Sequence, residues 1–164
     1  MKSLFPLLLM TIIVSHTEAQ NITRNIGLRG GQTAGITFRK YFDEDNALES
    51  ILSFRLNGIQ LTGLKQFIKP KFEEYSDRIF MVWGYGGHVG TTYSNSWDFA
   101  ARSYYGNKRF SPVAGIDAFI GLEYRIKEIP LVVGLDYKPF FELSLSRFFS
   151  LNPWDLGFSL KYAF

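Results

Sequence analysis

The 164-residue chain contains no cysteine, which excludes a disulfide scaffold, a thiolate metal site and a thiol nucleophile. After residue 20 it also lacks any run near the ~18 consecutive apolar residues that a membrane-spanning helix needs. Charge of one sign is scarce: 18 Lys and Arg against 15 Asp and Glu leave +3, scattered without the basic block that a nucleic-acid partner requires. Histidine is nearly missing, with only His16 and His88. What is abundant is apolar: 46% hydrophobic and 17% aromatic residues, with 15 glycines. That composition is too apolar for disorder and, at this length, suits one domain.

The first residues read as an export leader. Lys2 supplies the positive start, Leu4 to Val14 an apolar run broken by Pro6 and Thr11, and Thr17-Glu18-Ala19 a cleavage site. Residues 1–19 are therefore expected to be removed, leaving 20–164 as a single domain. The apolar run is too short to cross a bilayer as a helix, and without a following cysteine no lipid anchor is expected. An exported chain of this size without cysteine fits a bacterial envelope better than a eukaryotic extracellular space. The Asn21-Ile22-Thr23 sequon is accordingly read as accidental.

Beyond the leader the dominant signal has period two, which is strand periodicity. In 114–126 the even positions are Ala114, Ile116, Ala118, Ile120, Leu122, Tyr124 and Ile126, with Asp117, Glu123 and Arg125 on the odd set. In 131–142 Leu131, Val133, Leu135, Tyr137, Pro139 and Phe141 oppose Asp136, Lys138 and Glu142, and Leu156, Phe158, Leu160, Tyr162 and Phe164 oppose Lys161. Segments at 24–30, 33–42, 48–56, 58–68 and 79–90 follow less cleanly, with Lys40 and Lys65 intruding on their apolar rows. Eight strands of about ten residues, each with one apolar face, predict an all-β fold: an eight-stranded antiparallel up-and-down transmembrane β-barrel. Short periplasmic turns are expected at 43–46, 69–78 and 127–130. Outer connections are expected at Gly30-Gly31-Gln32, Asn57-Gly58, 143–154 and one long loop, 92–112. Lys40 and Lys65 then both fall near the periplasmic ends, where their stems can lie along the apolar belt.

Alternation does not by itself say which face is inside, since a soluble ligand-binding barrel points its apolar row inward. The glycines do. Gly27, Gly35, Gly84, Gly86, Gly90, Gly115, Gly121, Gly134 and Gly157 share the charged face, and an eight-stranded lumen admits long charged residues only beside small ones. Aromatics near strand ends (Tyr41, Phe42, Phe67, Tyr124, Tyr162 and Phe164 at one end, Phe141 and Trp154 at the other) resemble an interfacial girdle. The lumen should then hold Arg29, Arg39, Arg55, Arg125, Lys138 and Lys161 against Glu49, Asp117, Glu123 and Asp136. Buried charges must pair, so a salt-bridged plug is expected rather than an open pore.

The run from Gly115 to Pro130, continuing through Gly134-Leu135-Asp136-Tyr137-Lys138-Pro139, resembles the small outer-membrane β-barrel proteins of Bacteroidota, whose architecture is of the OmpA/OmpX type. Ala47-Leu48-Glu49, Leu61-Thr62-Gly63-Leu64 and Gly84 to Gly90 fall where that family has similar stretches, so the resemblance covers most of 25–164. It implies an outer-membrane location and little about activity. Leu160-Lys161-Tyr162-Ala163-Phe164 is similar to the C-terminal signal read by the barrel assembly machinery, the positions in question being Leu160, Tyr162 and Phe164.

Chemistry-bearing residues are few. A lipid- or lipopolysaccharide-modifying hydrolase at the membrane face needs an activated serine beside a histidine and a carboxylate. Only His88 remains after leader removal, with Ser94, Ser96 and Ser103 following in the long loop. A hydrogen-bonding lumen histidine is the plainer reading, and no enzyme, cofactor or metal site is expected. Gly84-x-Gly86-Gly87 is not a nucleotide loop, because no helix follows it. The 92–112 connection carries Tyr93, Trp97, Phe99, Arg102, Tyr104, Tyr105, Lys108, Arg109 and Phe110, a mixture suited to a protein or glycan partner or to lipopolysaccharide. Phe148, Phe149 and Trp154 could share that role. Outer-membrane lipids and lipopolysaccharide are the other expected partners.

Overall fold

The computed structural model describes residues 23–55, 58–70, 78–98, 103–126, 128–144 and 149–164, with 93–98 and 103–110 described by backbone only. The expected leader, the 71–77 part of one turn, Lys127 and Phe148 lie outside the described residues.

Eight strands follow one another around a closed ring. They are β1 (Arg24–Gly31), β2 (Ala34–Tyr41), β3 (Asn46–Arg55), β4 (Gly58–Pro70), β5 (Ile79–Asp98), β6 (Ser103–Ile126), β7 (Leu131–Tyr137, resumed at Phe140–Ser144) and β8 (Ser150–Asn152, resumed at Leu156–Ala163). Every neighbouring pair is antiparallel, and β8 pairs back onto β1, where Arg24 and Phe164 exchange backbone hydrogen bonds of 3.1 and 2.9 Å. Followed once around, the register climbs about ten residues; at ~4.8 Å between strands and ~3.3 Å per residue this tilts the strands by about 40°.

The two interrupted strands have different causes. In β7, Ile120 faces Tyr137 and Asp117 faces Phe140, so the register passes unshifted through Lys138-Pro139. Pro139 has no N–H to give, yet its carbonyl still accepts from Ala118 N–H at 3.0 Å. In β8 one extra residue is inserted at Pro153-Trp154, because Phe140 faces Asn152 while Lys138 N–H bonds Asp155 O at 2.8 Å. Such a bulge re-aims side chains: Trp154 is 76% exposed, whereas Asp155 is fully buried. The β1–β2 connection turns at Gly31, whose φ of +138° only glycine adopts readily. At the other end, the Asp43 carboxylate accepts from Asp45 N–H and Asn46 Nδ2, and the Asn46 amide holds that carboxyl below its ordinary range.

The apolar rows point outward. Leu28, Ile36, Leu52, Leu61, Val89, Ile116, Leu135 and Phe158 are all exposed, and the charged rows are buried. A soluble barrel closing on an apolar ligand requires the opposite facing. The expected glycines line the inside, and at Gly157 the reason is visible: a Cβ there would sit 2.5 Å from the Arg29 guanidinium carbon. Inside the barrel, Ala47, Ile51, Leu64, Ile68, Val82 and Phe119 form a small apolar core against Tyr41 and Phe80.

Three expectations need correction. The 92–112 stretch is not a long loop: β5 and β6 continue as a paired ribbon to Asp98 and Ser103, with an irregularity at Asn95/Ser96. Part of 143–154 is likewise paired, through Glu142 and Ser150. Tyr41 does not join an outer girdle, because its hydroxyl turns inward to accept from Asn25 Nδ2 at 3.0 Å. Its odd-numbered place in β2 is the inward parity of that strand.

Gly157→Ala is expected to cost about 1–3 kcal/mol by overpacking against Arg29. Gly63→Ala, where an added Cβ meets nothing within 4 Å, should be neutral or stabilising by up to about 1 kcal/mol. Urea unfolding of the two purified variants measures both, and equal shifts would contradict the inward placement of Gly157.

Candidate functional site: the charged lumen

The inward rows bring ten predicted charges into one space, and among the described residues all but Arg125 enter ion pairs. Arg39 on β2 is fully buried and sends its fork to Glu123 on β6, with Nη1 and Nη2 each 2.7 Å from a carboxylate oxygen. Its Nη2 also donates to Glu49, its direct cross-strand neighbour on β3, at 2.9 Å. Lys161 on β8 completes a ring, with Nζ 2.9 Å from both Glu49 and Glu123. Glu49 accepts in addition from the Thr37 hydroxyl and the Gln66 amide, so its lone pairs are taken on every side.

A second group runs toward the other end as a continuous chain. Arg29 donates to Asp136 through Nε at 2.9 Å and to Asp155 through Nη1 at 3.2 Å. Lys138, fully buried, joins Asp155 at 3.1 Å to Asp117 at 3.2 Å. Asp117 holds His88 Nδ1 at 2.8 Å, His88 Nε2 lies 3.4 Å from Glu142, and Glu142 accepts from Arg55 at 2.5 Å. Thr33 ties Arg29 to Asp155 from the β1–β2 turn, donating to Asp155 at 2.6 Å.

Two of these contacts are struts. β2 and β6 stand four places apart in a ring of eight, as do β3 and β7. Arg39–Glu123 and Arg55–Glu142 therefore tie opposite walls across the lumen axis. A ring of this size has an interior only wide enough for side chains, and these side chains occupy it. Arg125 takes another course, its guanidinium 3.9 Å from the centroid of Phe80 and 5.7 Å from that of Tyr41, where an aromatic face substitutes for a carboxylate.

The sequence reading missed Glu142 and Asp155 as lumen members. Glu142 was legible, since it shares the even parity of Asp136 and Lys138. Asp155 shares the odd parity of Lys161, but it directly precedes Leu156, the first residue of the last apolar row, at the edge of the connection expected over 143–154. Together they bring the lumen carboxylates to six, equal to the six Lys and Arg found there among the described residues. The second chain alone has Arg29, Lys138 and Arg55 against Asp136, Asp155, Asp117 and Glu142. His88 stands between two of these carboxylates, its Nδ1 hydrogen-bonded to Asp117 at 2.8 Å and its Nε2 3.4 Å from Glu142.

His88 is buried, with Phe140 edge-on to its ring at 5.2 Å and Gly115 beneath it, where a Cβ would lie 2.4 Å from Cε1. No group of three or more His, Asp or Glu among the described residues is placed to hold a metal ion. Of the outer residues singled out, Tyr93, Trp97, Tyr104, Tyr105, Lys108, Arg109 and Phe110 sit on the β5–β6 ribbon with side chains outside the description, and Phe99 and Arg102 lie outside the described residues. Leu160, Tyr162 and Phe164 all face outward. No family model, curated protein or solved structure matches the chain.

Removing one end of a strut leaves the other as an unpaired buried charge. Arg39→Met is expected to cost about 3–5 kcal/mol, while Arg39→Met with Glu123→Gln should recover part of it. A double-mutant cycle by urea unfolding is expected to give a coupling of about 1–3 kcal/mol; strictly additive losses would show that the two side chains do not support one another.

Proposed function

We propose that this chain is an integral outer-membrane β-barrel protein with a structural or surface-interaction role, exported by the expected leader and closed to solutes by its paired charges. The observation that carries the reading is the outward apolar surface. On β8 alone Leu156, Phe158, Leu160, Tyr162 and Phe164 are exposed in unbroken alternation, covering about 26 Å along the strand and about 20 Å along the barrel axis. Soluble monomers rarely leave contiguous apolar patches above a few hundred Å², whereas a lipid-facing band of about 25 Å is what a membrane barrel requires.

Other features agree. Lys40 and Lys65, two cations on the apolar rows, place Nζ 5.7 and 5.4 Å from the ring centroids of Phe42 and Phe67, one step nearer the same barrel end. That is how a lysine stem crosses an apolar belt to reach its polar edge. In this reading the protein is of the kind its resemblance to small Bacteroidota barrels implies, and it is not an enzyme. His88 serves the lumen network, and the stretch 92–112, with Tyr93, Trp97 and Tyr104 on the β5–β6 ribbon, is the surface for a protein, a glycan or lipopolysaccharide.

Expression of the full chain in a Gram-negative host, with fractionation and a detergent gel run with and without boiling, tests the reading. Recovery in the outer membrane with a folded band that shifts on boiling is the expected result. Recovery as a soluble periplasmic protein overturns it.

A further inference from the structure

The outer surface carries a groove that the lumen does not explain. Across β3, β4 and β5 the small residues Ser50, Gly63 and Gly87 stand in lateral register, between Phe38 on β2 and Ile116 on β6. An added Cβ at Gly63 would meet nothing within 4 Å. The gap opens a groove of about 480 Å³, with Leu61, Val89 and Ala114 along its far side.

Cations stand at one end of it. The outward row of β4 continues from Gly63 to Lys65, Phe67 and Lys69, toward the end that holds the 43–46 turn. Lys65 faces Leu48, and Leu48 faces Lys40, so two exposed lysines flank one leucine at two strand spacings, about 10 Å. Both ammonium groups lean away from the groove onto Phe42 and Phe67, and among the described residues neither forms an ion pair. An apolar channel thus leads along one strand to a pair of unneutralised cations with aromatic rings beside them.

We propose that this face seats one anionic phospholipid, with its phosphate between Lys40 and Lys65 and an acyl chain in the groove over Ser50, Gly63 and Gly87. The two ends of the site match the two ends of one amphiphile. From Phe67 to Gly63 is about 13 Å along the strand, a span that an acyl chain covers and a free phosphate does not. The inference rests on the membrane reading above and adds to it a particular lipid class at a particular place.

Trp83 supplies a reporter, since it is half exposed and stacks on Phe67 at 4.4 Å. In a Trp97→Phe/Trp154→Phe background it is the only tryptophan. The full chain reconstituted in vesicles is titrated with brominated phosphatidylglycerol or brominated phosphatidylcholine, and Trp83 quenching is read. The anionic lipid is expected to quench at about twenty-five-fold lower mole fraction, at roughly fivefold for each of the two lysines. Lys40→Gln/Lys65→Gln should abolish the preference, and Gly63→Leu, which fills the groove and keeps both cations, should weaken quenching by the anionic lipid. Equal quenching by the two lipids, or a preference that survives the double lysine substitution, overturns the site. In either case a band that shifts on boiling still reports an inserted barrel, whereas a chain that never inserts overturns the membrane reading itself.

Discussion

The structure depends on one constraint: a ring of eight strands encloses a space that side chains fill and bulk water does not. Any polar group aimed into that space must find its partner on another wall. Six cations and six carboxylates are aimed there, and removing a charge from water costs several kcal/mol unless a well-placed counter-charge repays it. The Arg39–Glu123 and Arg55–Glu142 struts answer this across the full width of the barrel. A register slip of one residue would turn Arg39 and Glu49 outward with every other inward residue of their strands, so the same charges that are costly to bury fix the pairing of the walls.

The inside-out arrangement follows from the same constraint. With the lumen taken by charges and the glycines that make room for them, the large apolar side chains have only the outer surface left. The interior is not wholly polar, however. Ile51, Leu64, Ile68 and Val82 are buried on β3, β4 and β5 around Phe119. The fold thus packs two kinds of core side by side within one ring: a small apolar one and a larger ionic one that reaches both ends.

Much of this was legible because strand geometry is simple. Period two sorts side chains to opposite faces whatever the tertiary partners are, so the ten lumen charges, the outward rows and the glycine face could be read from alternation. Interruptions limited the reading. Alternation passes unbroken through Lys138-Pro139, which made Glu142 readable; Asp155 keeps the parity of Lys161 but stands at the edge of the connection expected over 143–154, next to the extra residue at Pro153-Trp154. The β5–β6 ribbon was taken as a loop because Tyr93 to Phe110 lacks clean alternation. The ribbon is held by backbone pairing, which side-chain alternation does not report.

The sequence by itself therefore determined the strand count, the face of most residues within the clean strands and the kind of side chain the lumen would hold, since all three depend on a local pleat. Only the tertiary structure decided who meets whom. Arg39 and Glu123 are 84 residues apart in the chain, and their pairing follows from how many strands lie between them and how far the register climbs around the ring. Those are properties of closure. No single strand contains them.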